Sequence, residues 1–176
     1  MNKMNKSNIV LIGFMGSGKS TIGKALAQRL NYSFIDSDVL IEDRIKMPIS
    51  DYFKHYGEEK FRILEEEIIS QIALTSEAVI ATGGGVVKNP NNISNLKNNG
   101  TIFYLKGSPE HIFENVKYDT TRPLLNTGNK LETIKSLLKE RSPLYESASD
   151  MIIDIDHKSI EEIVVSILDC MRGKVI

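Results

Sequence analysis

Apolar residues follow two rhythms along the chain. Short uninterrupted runs occupy 9–12, 79–81, 102–105 and 151–155, with a briefer one at Phe34 and Ile35. Runs of this length without polar alternation predict strands buried on both faces. Between them, apolar positions recur at helical spacing over 20–30, 61–74, 131–145 and 159–171; in the last, Ile160, Ile163, Val164, Ile167 and Leu168 share one face. Alternating strand and helix predicts a three-layer α/β/α domain spanning 1–176, with a central parallel sheet of about five strands. Segments 37–57 and 115–129 fit the alternation poorly. The second is polar and rich in turn residues, from Tyr118, Asp119, Thr120 and Thr121 to Asn126, Thr127, Gly128 and Asn129. They are expected to be working parts: an acceptor-binding segment near 37–65 and a mobile lid near 115–128.

Composition narrows the partners. At 176 residues, 41% hydrophobic and 26% charged, the chain is the size of one domain with a full core. A formal charge of -1 gives no field to draw it to nucleic acid or a membrane, so any anion must meet local charge. The apolar stretch after the polar residues 1–8 is broken at once by Gly13, Gly16 and Gly18, too short for a signal peptide, and no run suffices to span a bilayer. A soluble, cytoplasmic monomer is expected. The single cysteine, Cys170, sits in an apolar helical pattern and is read as packing, and His55, His111 and His157 are scattered without metal-ligand spacing.

The strongest local signal is Gly13-Phe14-Met15-Gly16-Ser17-Gly18-Lys19-Ser20, which matches G-x-x-x-x-G-K-[ST] between a predicted strand and a predicted helix. Its glycines turn backbone N–H groups around a phosphate, and the helix start adds a positive dipole end. Lys19 reaches the β- and γ-phosphates, and Ser20 offers its hydroxyl to Mg²⁺. Gly16, Ser17, Gly18, Lys19, Ser20 and Thr21 are the expected ATP contacts. A plain glycine-rich turn is the bland alternative. The motif leaves the acceptor open, but the chain has no Asn-Lys-x-Asp guanine signature and is too short for the coupling machinery of a large ATPase.

Candidate acceptor chemistry lies further on. Asp36 and Asp38 close the strand of Phe34 and Ile35, at the carboxyl end where α/β sheets bind ligands. Asp36 could hold Mg²⁺ and Asp38 could take a hydroxyl proton; alternatively Ser37 or Asp38 caps a helix beginning near Val39. Arg62 stands three residues before Glu65, which could orient its guanidinium fork, although such pairs are usually solvated. Gly83, Gly84 and Gly85 allow close approach to backbone. Arg122, before Pro123, suits a lid that neutralises a transferring phosphate.

These motifs, in this order and spacing, resemble the shikimate kinase family: Phe34-Ile35-Asp36-Ser37-Asp38, Phe61-Arg62-x-x-Glu65, Gly83-Gly84-Gly85, Arg122-Pro123-Leu124-Leu125 and Arg141-x-x-x-Tyr145. The resemblance implies an ATP- and Mg²⁺-dependent kinase that phosphorylates the 3-hydroxyl of shikimate. It implies that Arg62 and Arg141 hold the shikimate carboxylate, that Gly84 and Gly85 present backbone N–H groups, and that Arg122 reaches over the phosphates. The family often carries an arginine seven residues before the lid arginine, against adenine; here Asn115 stands there, with Lys117 two positions on. After the last strand come His157 and Lys158, of which Lys158 is expected near the base. A kinase for gluconate or a nucleoside monophosphate, and a nucleotide-sensing module without transfer, are the alternatives.

Overall fold

In the computed structural model, which describes residues 6–126 and 128–173, five strands form one parallel sheet in the order β2-β3-β1-β4-β5. Residues 1–5 of the polar N-terminal stretch, and Thr127 of the expected lid, lie outside the described residues. The strands are β1 (Asn8–Ile12), β2 (Ser33–Asp36), β3 (Ala78–Ala81), β4 (Gly100–Lys106) and β5 (Met151–Asp154). Between and after them run helices α1 (Lys19–Leu30), α2 (Ser37–Ile45), α3 (Ile49–Ile72), α4 (Pro90–Asn99), α5 (Pro109–Val116), α6 (Lys130–Ala148) and α7 (Ile160–Met171).

The central strand explains its own sequence. β1 pairs with β3 through Val10 and Ile80 and with β4 through Val10 and Ile102, and every one of its residues is buried. Its alternate residues feed two cores. Ile9 and Leu11 pack with Ile22 and Leu26 of α1 and Ile163 and Ile167 of α7, whereas Val10 and Ile12 pack with Ile69 of α3, Leu96 of α4 and Ile134 of α6. Burial on both faces is why this strand reads as continuous apolar sequence. The polar ends are satisfied locally: Asn8 bonds Thr75 O and Ala78 N, and Asp150 accepts from Ile102 N.

The structure has more helix than the periodicity predicts. α2 fills 37–45 but buries only Ser37 and Ile41, too thin a stripe to read. α3 begins at Ile49 and is broken at Gly57, whose φ of 81° and ψ of 171° join two helical pieces at a kink. α4, Pro-Asn-Asn-Ile-Ser-Asn-Leu-Lys-Asn-Asn, is poor in helix formers; it starts because Asn89 caps it and Pro90 fits its first turn. α5 is two turns that bury Ile112 and Val116, four residues apart. It takes in Asn115 and Val116, so the irregular part of the lid starts at Lys117. A single ammonium fastens the lid's base: Lys130 Nζ, at the start of α6, donates to Val116 O at 3.0 Å, Asp119 O at 2.9 Å and Lys117 O at 3.3 Å. No helix among the described residues is long and apolar enough to cross a membrane.

Candidate active site

The glycine-rich loop follows β1 and ends on Gly18, which caps α1 in the left-handed region at φ 83°. That conformation strains residues with a Cβ. A Cβ on Gly16 would in turn collide with Val116 of α5. The loop thus turns tightly and lies close under α5. Lys19 is buried, its Nζ donating to Gly13 O at 2.7 Å and Phe14 O at 2.9 Å, with Ser17 Oγ at 3.4 Å. Burial lowers its pKa to about 8, against the opposing pull of Asp38. The ammonium therefore sits inside the loop rather than on its surface.

At the end of β2, metal-type and capping readings coexist in one carboxylate. Asp36 is the N-cap of α2, its Oδ1 accepting from Asp38 N at 3.0 Å and Val39 N at 3.3 Å. The cap is therefore Asp36, not Ser37 or Asp38 as in the alternative reading of this segment. Asp36 Oδ2 accepts from Ser20 Oγ at 2.5 Å, so the two residues expected at the metal already meet. Ser37, fully buried, turns instead to the glycine loop, its Oγ accepting from Gly83 N at 3.2 Å. Asp38 points to the same loop: a Cβ on Gly83 would stand 2.7 Å from its Oδ1. Burial raises the pKa of Asp38, the neighbouring Asp36 adds to this, and Lys19 opposes it.

Gly85 lies against a guanidinium and Gly84 against a phenol. A Cβ on Gly85 would collide with the guanidinium of Arg62. Arg62 Nη1 donates to Glu65 Oε1 at 2.8 Å and Nη2 to Glu58 Oε1 at 3.1 Å. Glu65 is only 1% exposed, so this pair is not the solvated surface pair its spacing suggests. Glu58, four residues before Arg62, also accepts from Lys88 Nζ at 2.9 Å. Arg141 is buried, lies 5.8 Å from the centroid of the Phe14 ring, and its Nε has no hydrogen-bond partner. One turn later Tyr145 donates its hydroxyl to Gly84 O at 2.6 Å.

The phosphate loop and Asp38 border a cleft of about 560 Å³ whose lining includes Lys19, Thr21, Asp36, Arg122 and Lys158 but not Arg62 or Arg141. Arg122 Nε is held by Asp119 Oδ2 at 2.8 Å. The Asp119 carboxyl lies at about 2, chiefly because Thr121 hydrogen-bonds it. Asn115 faces the cleft and donates to Gly16 O at 2.8 Å, tying α5 to the glycine loop. Lys117 is engaged by Glu114 at 2.6 Å. His111, set aside on sequence as a scattered histidine, also lines the cleft, one turn before Asn115 on α5. The sequence held one usable signal for it, the i, i+4 spacing to Asn115.

A glycine-rich cradle on the central strand of a parallel sheet, with a half-buried carboxylate and the Arg122 guanidinium in the same cleft, defines the class of P-loop kinases for small acceptors. The chain belongs to the shikimate kinase family, whose model, described as shikimate kinase, matches residues 15–172. It is 48% identical over 161 residues to the shikimate kinase of Thermodesulfovibrio yellowstonii, covering 92% of each chain. It is 42% identical over 175 residues to that of Legionella pneumophila, covering 99% of this chain and all of the other. A shikimate kinase from Acinetobacter baumannii, solved in complex with shikimate, superposes with a TM-score of 0.91 at 32% identity, covering 97% of this chain and 95% of that one. Membership makes the protein an ATP-dependent phosphotransferase and agrees with the expected five-stranded parallel α/β fold.

Proposed function

We propose that the protein transfers the γ-phosphate of ATP to the 3-hydroxyl of shikimate, giving shikimate 3-phosphate and ADP. The observation that carries this reading is that Asp38 and Arg62 press on Gly83 and Gly85, two residues apart on one loop beside the P-loop. Two residues of chain span at most about 7 Å, the scale of one six-membered ring. A base and a carboxylate-binding fork at that separation suit an acceptor carrying a hydroxyl and a carboxylate on opposite sides of a small ring.

Each residue has a role in this reading. Lys19 leaves the loop carbonyls for the β- and γ-phosphates, and the N–H groups from Gly16 to Thr21 hold the phosphate chain. Ser20 and Asp36 supply oxygen donors, the kind Mg²⁺ takes, and would hold it. The bound ion would neutralise phosphate charge. Asp38 accepts the hydroxyl proton, while Arg62, Arg141 and the N–H groups of Gly84 and Gly85 fix the ring. Arg122 covers the transferring group from the lid near 115–128, and segment 37–65 carries the acceptor contacts. Lys158 lies along the base, with Asn115 and His111 on the α5 side in place of a guanidinium. The protein works as a cytoplasmic monomer without nucleic-acid or membrane partners.

A coupled ADP-release assay across shikimate, gluconate and nucleoside monophosphates tests the proposal. Turnover with shikimate alone supports it, and faster turnover with either other acceptor overturns it. Replacing Arg62 or Arg141 by Lys keeps the charge and loses the planar fork. Each change should cost about 1.5–3 kcal/mol, read as a rise in shikimate KM with ATP KM nearly constant.

Lys19 also predicts a proton linkage. With a pKa of about 8 in the free enzyme, it is partly neutral at pH 8.5, and bound phosphate must recharge it. ADP binding should therefore take up protons at pH 8.5 and almost none through this group at pH 7. Calorimetry in buffers of different ionisation enthalpy measures this; equal uptake at both pH values would exclude Lys19 as the phosphate ligand.

A further inference from the structure

The role of Tyr145 follows from a property of the peptide bond. Its hydroxyl donates to Gly84 O at 2.6 Å. The carbonyl of Gly84 and the N–H of Gly85 belong to one planar trans peptide and point in opposite directions. Whatever fixes the oxygen therefore aims the hydrogen. With glycine on both sides of this peptide, side-chain sterics do little to restrain its rotation.

Tyr145 is built to hold such a group. It is fully buried, and its ring stacks on Tyr104 of β4 with centroids 5.0 Å apart and planes 27° from parallel. Burial pushes its phenol up to about 12, so it remains a donor at every working pH. It lies one helical turn beyond Arg141, on the same face of α6, and Pro143 between them fixes one backbone torsion. The loop it grips is also pressed against the nucleotide cradle: a Cβ on Gly84 would lie 3.3 Å from Met15 N.

We infer that Tyr145 is a positioning residue for the acceptor: its hydroxyl orients the Gly84–Gly85 peptide, aiming the Gly85 N–H at the acceptor in register with Arg141. This rests on the reading of the 83–85 loop as the acceptor platform. Tyr145 does not touch the reacting atoms. It couples the position of α6, which carries Arg141, to the direction of a backbone donor on the 83–85 loop.

The test is Tyr145→Phe, which removes one oxygen and keeps the stacked ring. Shikimate KM should rise about fivefold to tenfold, the effect of a single hydrogen bond. ATP KM and the slow ATP hydrolysis without acceptor should stay within about twofold, since the P-loop keeps its own bonds. Tyr104→Phe, which removes the hydroxyl of the partner ring, should leave shikimate KM unchanged. A lowered melting temperature with unaltered shikimate KM makes Tyr145 merely structural and overturns the inference, as does an equal rise in both KM values or the same effect from Tyr104→Phe.

Arg62→Lys, assayed alongside, separates two failures. If it raises shikimate KM and Tyr145→Phe does not, the inference alone falls. If neither moves it, the acceptor platform falls as well. The wild-type protein gives a second arm that needs no folded variant. On titration with shikimate, the Tyr145 ring resonances and the Gly85 amide should shift together in NMR spectra. A Gly85 amide that responds while the Tyr145 ring does not would also overturn the inference.

Discussion

Lys19→Met should abolish phosphoryl transfer while leaving the protein at least as stable as the wild type. The loss follows from position. Lys19 is the side-chain cation buried inside the glycine loop, and the β- and γ-phosphates can meet its charge there without crossing water. Removing one such preorganised group costs about 10²–10³ in rate when the donor is neutral, so kcat/KM should fall by at least about 10³ when a full charge goes. Stability should move the other way. In the folded protein burial pulls Lys19 from its ordinary 10.5 to about 8. At neutral pH both folded and unfolded states are protonated, and the charged lysine opposes folding by about 3 kcal/mol. That penalty fades as pH rises from about 8 to 10.5. Methionine fills the same space without charge, although Gly13 O and Phe14 O lose a donor. Thermal unfolding read beside the ADP-release assay decides the matter. A destabilised variant would mean that the ammonium is structural, and a variant with more than about a tenth of wild-type kcat/KM would remove Lys19 from catalysis.

Most of this site was legible where its chemistry is contiguous. The phosphate loop is one octapeptide whose spacing is fixed by the ligand it wraps, and Asp36 and Asp38 are marked by the strand they end. The pairing of Arg62 with Glu65 could also be seen, but its burial could not. That burial depends on the Gly85 loop lying against Arg62, which no local pattern carries. The sequence marks Asp36 as a metal ligand and offers capping to Ser37 or Asp38. The structure gives one oxygen to Ser20 and the other to the α2 backbone, because a carboxylate has lone pairs for both. Helices α4 and α5 escaped, and α2 figured only as the alternative of a capped helix near Val39, because each buries only one or two apolar residues and depends on a cap, a proline or a neighbour. His111 escaped with α5, since only the fold brings that helix over the glycine loop.

Asp38→Asn is expected to separate chemistry from binding. The amide has the same shape and can keep the contact with Gly83, yet it cannot accept the hydroxyl proton at neutral pH. General-base catalysis contributes about 10²–10⁴, so kcat should fall by that factor. ADP affinity should change little, because Asp36 rather than Asp38 meets Ser20. The pH profile adds an independent reading. Burial and the adjacent Asp36 raise the Asp38 pKa, which brings the base closer to working pH and makes it a stronger proton acceptor than a surface aspartate. Below that raised pKa the carboxylate is protonated and the base is lost. Wild-type kcat/KM for shikimate should therefore decline on the acid side at a higher pH than an ordinary aspartate would give. In Asp38→Asn the residual rate should lose that acid limb. If the limb persists unchanged in the variant, another group accepts the proton. If ADP and Mg²⁺ affinities fall together with kcat, Asp38 sits on the metal, and the division of labour between the two aspartates is reversed.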